Sequence, residues 1–300
     1  MSAKHRGTLW LIASATGYGS LVVLIKWAVA AGLSGETAFA LRFTLGGLIW
    51  WIIFLVRRQP LWPGLRWAVQ AAALGGLLYG PNALAYYRGT SLVSGTVAAM
   101  AISAVPVVVA LFARLLLGER TGPIIWVAVG LVVLGGVLMA GGPQGEVSLQ
   151  GLLYLGTSVT LYSLYIVLST PVTRALSSSV STVYVLSGCA AFYWIWGGLT
   201  GHLDFSFDPI GWWAVFALVL IPTVLARFAF LEGIKIVGAT RAAIVNGLEP
   251  VVGAILAVLF LGDRPGLLQI IGGGLTILAA ILVQRERIQK KEEILEAATE

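Results

Sequence analysis

Few side chains in this sequence can do chemistry, and most of those stand inside long apolar runs. Glu249 occurs in "LEPVVGAILAVLFLGDRPG", beside Pro250 and three residues after Asn246. Arg227 occurs in "LARFAFLEG". A carboxylate held away from water is costly, so three roles are open to Glu249: proton carrier, anchor for a substrate ammonium, or half of an ion pair with Arg42 or Arg227. Tyr79, Asn82 and Tyr86 fall at i, i+3 and i+7, one stripe of a helix. Ser158, Tyr162 and Tyr165 make a second stripe, with Tyr18 in the first segment and the Ser103 hydroxyl in the fourth. Such stripes serve either as packing glue or as the walls of a cavity for a flat ring. On the cavity reading Arg227 or Arg42 attracts a carboxylate, Glu249 with Asn246 attracts an ammonium, and the tyrosines pack against the ring between them.

The elements that must position these groups follow from composition. Of 300 residues, 58% are hydrophobic and only 11% charged, and the mean hydropathy is +0.93. That excludes an ordinary soluble domain. A helix crossing the hydrocarbon core needs about 20 mostly apolar residues. Ten such segments can be laid down, near 9–30, 36–56, 66–87, 93–116, 123–141, 150–170, 180–200, 210–231, 237–260 and 267–284. Their apolar runs are continuous, whereas strands of a membrane barrel would alternate. The expected fold is therefore an all-α integral membrane protein. Positive charge gathers in alternate connections: Lys4 and Arg6, then Arg57, Arg58 and Arg66, then Arg114 and Arg120, Arg174, Lys235, and the tail from Arg285. The other connections hold Arg88 and Arg264 with Glu36, Glu146, Asp204, Asp208 and Asp263. Both termini are thus expected in the cytoplasm.

Sliding the chain by 144 residues matches it to itself without gaps. Tyr86 to Met139 gives 19 identities in 54 positions, with Pro106 on Pro250 and Gly118-Glu119-Arg120 on Gly262-Asp263-Arg264. Ser14, Thr16 and Tyr18 fall on Ser158, Thr160 and Tyr162. Each half is then a five-helix unit, residues 1–143 and 144–284, followed by a charged tail at 285–300. Five is odd, so the second unit enters the membrane from the opposite side. Inverted repeats of this kind underlie alternating access around a site near the midplane. Pro106 and Pro250, expected mid-helix, should each kink their helix and act as a hinge or pivot. Pro81 and Pro222 make a looser pair that aligns only with a three-residue shift.

"ALRFTLGGLI" in the second segment, and the twice-used "P-V-V-x-A…L-x-L-G-[ED]-R" leading into a Gly-rich helix, resemble the EamA-type carriers of the drug/metabolite transporter superfamily. The likeness covers roughly residues 7–284. With "LYGPNALAYYRGTSLV" in the third segment, the chain looks most like the aromatic amino acid exporter branch. That resemblance implies a secondary transporter or facilitator exporting phenylalanine, tyrosine or tryptophan. The alternative is export of another class on the same scaffold: other amino acids, organic cations or nucleosides. Arg42, with Phe43 in the Arg-Phe signature, is expected to be a structural charge rather than a substrate contact.

Other classes fare worse. His5 and His202 lie at the terminus and in a loop, so no apolar segment carries the acid–base pair of an intramembrane enzyme. No Gly-x-x-x-x-Gly-Lys-Ser/Thr loop occurs to drive an ATP pump. A channel would need a continuous wetted path. No metal or cofactor is expected; the partners are a small-molecule substrate and lipid, with protons as an open choice and no nucleic acid. Cys189 is alone. Lys26 is expected to snorkel to an interface, and Trp50, Trp51, Trp62, Trp67, Trp212 and Trp213 to form an interfacial belt.

Overall fold

The computed structural model of the protein describes residues 3–58, 62–92, 101–102, 104–119, 122–139, 148–261 and 266–296. Every regular element among them is helical. In chain order they are α1 (Ala3–Gly19), α2 (Leu21–Ala30), α3 (Gly35–Arg57), α4 (Leu65–Ala73), α5 (Gly80–Leu92), α6 (Val105–Leu117), α7 (Pro123–Met139), α8 (Leu149–Ala175), α9 (Ser178–Thr200), α10 (Gly211–Leu218), α11 (Ala226–Val237), α12 (Ala239–Asn246), α13 (Glu249–Leu261) and α14 (Leu267–Glu296). Among the described residues six stretches are long and apolar enough to cross a membrane: His5–Ala30, Gly35–Val56, Leu149–Ala175, Ser178–Thr200, Gly211–Val237 and Ala239–Phe260. Val105–Leu117, Pro123–Leu138 and Ile270–Leu282 are apolar but shorter. Outward faces are greasy, as a lipid solvent requires: Val56, Leu115, Leu199 and Trp213 are each more than three-quarters exposed. Ser34, Ser148 and Ser177 start α3, α8 and α9 by accepting from the backbone N–H three residues on.

The helices pack in pairs that the 144-residue shift interchanges. α1 lies along α11, and α8, the shifted image of α1, lies along α5, the image of α11. α6 packs on α8 as α13 packs on α1. α3 meets α9, and α7 meets α14, each the image of the other. A widened π-helical turn joins α4 to α5 at Leu74–Tyr79, and another joins α10 to α11 at Val219–Leu225. These turns coincide under the shift to within two residues.

The second π turn has a visible cause. Pro222 has no N–H to offer the Leu218 carbonyl four residues back. The Thr223 hydroxyl donates to that carbonyl instead, at 2.6 Å. Arg42 Nε in α3 donates in turn to Thr223 Oγ1. Around the first turn, Cys189 Sγ reaches Gly75 O at 3.3 Å and the Tyr193 hydroxyl donates to Gly80 O at 3.1 Å, both from α9. Widened turns leave carbonyls short of partners, and the facing helix of the other half supplies them.

Two expectations are corrected. Pro106 and Pro250 do not kink continuous helices; each stands in the first turn of a new one, α6 or α13, after an interruption. Ala104 N–H bonds to Ala101 O, and Leu248 N–H to Val245 O, both at 3.1 Å. These three-residue closures are 144 residues apart, so the interruption itself is repeated. A proline N–H is not needed in a first turn, which is why the chain restarts there without strain. The tryptophan belt also shrinks. Trp62, Trp212 and Trp213 are exposed, but Trp50 is buried against Phe54 and Phe228, and Trp51 donates to Ser187 Oγ at 3.0 Å.

Candidate functional site

Arg227 opens α11 immediately after the second π turn and is 1% exposed. Its guanidinium carbon lies 3.8 Å from the centre of the Tyr79 ring and 4.4 Å from that of Tyr165. The cation therefore packs against two neighbouring rings, one from each half, whose own centres are 5.1 Å apart at 42°, and such contacts are worth about 2 kcal/mol or more when desolvated. Tyr18 lies beside it. Among the described residues none of the three guanidinium nitrogens has a hydrogen-bond partner, and no carboxylate pairs with it. Rings alone neutralise nothing, so this site is short of an anion.

The rings continue away from the arginine. Tyr165 is parallel to Tyr162, centroids 6.4 Å apart at 6°, and Tyr79 meets Phe43, which stacks on Tyr193 at 5.6 Å. Tyr162 is the junction. It belongs to this cluster and also lines an open cleft, whose wall includes Pro106, Asn246, Glu249, Pro250 and Thr276. In that cleft Asn246 Nδ2 donates to Glu249 Oε2 at 3.2 Å. Ser14 Oγ donates to Asn246 Oδ1 at 3.4 Å, which fixes the amide with its NH₂ toward the carboxylate. Among the described residues Glu249 forms no ion pair. Tyr86 and Tyr162 lie within electrostatic range of it, as does Arg42.

Both halves are also recognisable against known proteins. The family model of EamA-like transporters matches residues 5–141 and again residues 149–285. The chain belongs to the EamA-like transporter family. The two matches are themselves 144 residues apart, so the internal duplication is a property of the family's repeat. This EamA protein is 26% identical over 280 residues to a Bacillus subtilis (strain 168) protein named Uncharacterized transporter YcbK, covering 89% of each chain. It is 26% identical over 261 residues to Uncharacterized transporter YdfC of the same strain, covering 83% and 82%. A solved crystal structure shares the fold at a TM-score of 0.80 and 21% identity, covering 93% of this chain and 96% of that one. The protein is thus a multi-pass membrane transporter rather than an enzyme.

Residues singled out from the EamA chain's sequence separate into groups. Tyr18, Tyr79, Tyr165 and Arg227 form the cage; Asn246, Glu249, Pro106 and Pro250 form the cleft; Tyr162 joins the two. Asn82 accepts from Ser158 Oγ at 2.7 Å and ties α5 to α8. Ser14 and Ser158 are repeat mates, and each donates to an asparagine on a neighbouring helix. Pro81 begins α5 and Pro222 shapes the second π turn. Arg42 is buried over the Phe43 ring and bonded to Thr223. Ser103 lies outside the described residues. Sequence reasoning passed over Tyr193, Thr223 and Thr276. Thr223 carried a readable signal, a hydroxyl next to a mid-membrane proline; Tyr193 and Thr276 carried none.

Proposed function

We propose that this EamA protein is a secondary transporter or facilitator that exports aromatic amino acids or related small amphiphiles from bacteria across the inner membrane. Ten transmembrane helices, arranged as two inverted five-helix halves with both termini cytoplasmic, would expose the site to each side in turn. The contact pairs that interchange under the 144-residue shift support two equivalent halves. One observation carries the substrate reading. Tyr162, parallel to Tyr165, lines the cleft that holds Glu249 and Asn246, while Tyr165 lies against Arg227, so one pair of rings links an acidic cleft to a cationic cage. A flat ring stacks on Tyr162, its ammonium faces Glu249, and its carboxylate draws Arg227 away from the Tyr79 and Tyr165 rings. Arg42 is structural on this reading, because its Nε is committed to Thr223.

A second reading has its own support. Arg227 does not line the cleft, so the cleft alone offers a carboxylate, an amide and apolar walls, a set suited to an organic cation. Uptake of labelled phenylalanine, tryptophan, threonine, a nucleoside and a quaternary ammonium into liposomes holding the purified protein separates the two. Selective aromatic amino acid flux supports the first reading. Flux of the cation alone leaves the transporter and removes Arg227 from binding. An imposed pH gradient in the same assay distinguishes proton coupling from facilitated diffusion.

A further inference from the structure

Glu119, in the "LLLGER" that ends α6, is joined to the start of α12. The helix stops at Gly118, whose φ of 64° is a left-handed conformation that glycine adopts at little cost. The Glu119 N–H then folds back onto Ala113 O at 3.1 Å. That reversal aims the carboxylate across the seam between the two halves. Oε1 accepts from Ala239 N at 3.2 Å; Oε2 accepts from the Thr240 hydroxyl at 2.9 Å and from Thr240 N at 3.5 Å. A negative group at a helix N-terminus satisfies orphan donors and meets the positive end of the dipole. Gly238, at φ 85°, brings the chain in so closely that a Cβ there would lie 2.9 Å from Oε1. A carboxylate of one half therefore caps a helix of the other.

The position of this cap bears on transport. α12 is eight residues long and lines the cleft from Ala243, so the cleft begins about 6 Å from the cap at 1.5 Å per residue. α6 runs from Pro106 in the cleft to the same cap. α12 packs on α6 and on α1, and α13, beyond the interruption at Gly247 and Leu248, packs on α1 and α2. The seam between the halves is thus closed at the Glu119 end. The N-terminus is at this end too, because Gly7 of α1 packs against Ile236 and Val237.

We infer that Glu119 is a positioning residue of the transport cycle: its carboxylate holds α12 against α6 and shuts the cleft toward the N-terminal face, and the cap must break for the cleft to open there. This holds whatever the substrate. The test uses the full chain with Cys189→Ser and a reporter Ile102→Cys in the cleft wall, reconstituted in one orientation and labelled with a membrane-impermeant maleimide. Glu119→Ala should raise the labelling rate from the N-terminal face about tenfold, the effect of losing a charge-assisted contact on a two-state equilibrium. Thr240→Val, which spares the backbone bonds, should raise it less, and it decides the matter if Glu119→Ala does not fold. An unchanged rate from that face, or an equal rise from both faces through general loosening, overturns the inference.

Discussion

The guanidinium of Arg227 and the ring of Tyr79 face each other at 3.8 Å, and no acidic group among the described residues completes the pair. Burying a cation costs several kcal/mol that two aromatic faces return only in part. A residue kept for structure would not be expected to stand in so unfavourable a place. Arg227→Met, which preserves the shape without the charge, should therefore leave the apparent Tm in detergent unchanged or raise it. The same change should cut transport of carboxylate-bearing substrates by more than about tenfold, an ion-pair-sized loss. A fall in Tm together with equal losses for amino acids and for an organic cation would make the arginine structural.

Glu249 invites a subtler substitution. Glutamine keeps an acceptor for Asn246 Nδ2, so the Ser14, Asn246 and residue 249 chain survives while the charge is lost. Glu249→Gln should purify normally and bind ammonium-bearing substrates about tenfold or more weakly, the scale of a charge-assisted contact. Its flux should also lose any dependence on an imposed pH gradient. Wild-type flux with a wild-type pH profile would take Glu249 out of the mechanism.

Thr223 is placed to set the register of the helix that carries Arg227. Its hydroxyl accepts from Arg42 and donates to the carbonyl that Pro222 cannot serve. Thr223→Val leaves Arg42 Nε buried without its bond, about 1–3 kcal/mol, and takes the hydroxyl donor from the Leu218 carbonyl in the π turn one helical turn before Arg227. The expected result is a lower Tm in detergent with a disproportionate fall in transport. Thr223→Ser should restore both. If serine restores stability but not flux, the methyl group and not the register is what matters.

How much of this was legible beforehand depended on the kind of force involved. The all-helical membrane class and the duplication are long-range averages over hydropathy and repeated residues, and they survive into the fold. The breaks before Pro106 and Pro250 were misread as kinks because a proline fits both a kink and a first turn. Only the backbone bonds of Ala104 and Leu248 decide between them. Trp50 and Trp51 were assigned to the interface by their place near a segment end, but which way a ring points depends on a neighbour such as Phe228 that is remote in sequence. The same limit applies to the site. Tyr18, Tyr79, Tyr165 and Arg227 were each recognisable as costly or amphipathic groups, yet their meeting in one cage comes from helix pairing.

Gly188 provides the sharpest steric prediction, with a built-in control in the same helix. A Cβ on Gly188 would run into the Ala72 carbonyl oxygen, and one on Gly75 would run into that of Val185, so α4 and its π turn touch α9 backbone to backbone. Both neighbours are main chain and cannot swing aside. Relief requires the helices to separate, which would also pull Cys189 and Tyr193 from the carbonyls of Gly75 and Gly80. Gly198, ten positions along the same helix, has nothing within 4 Å of its added Cβ. Alanine is the better helix former by about 1 kcal/mol in an open site, while overpacking costs about 1–3 kcal/mol or more. Thermal denaturation in detergent should therefore show Gly198→Ala at or slightly above the wild-type Tm and Gly188→Ala well below it. Equal midpoints for the two would mean that α4 and α9 are not in backbone contact, and the support that α9 lends to the first π turn would have to be abandoned.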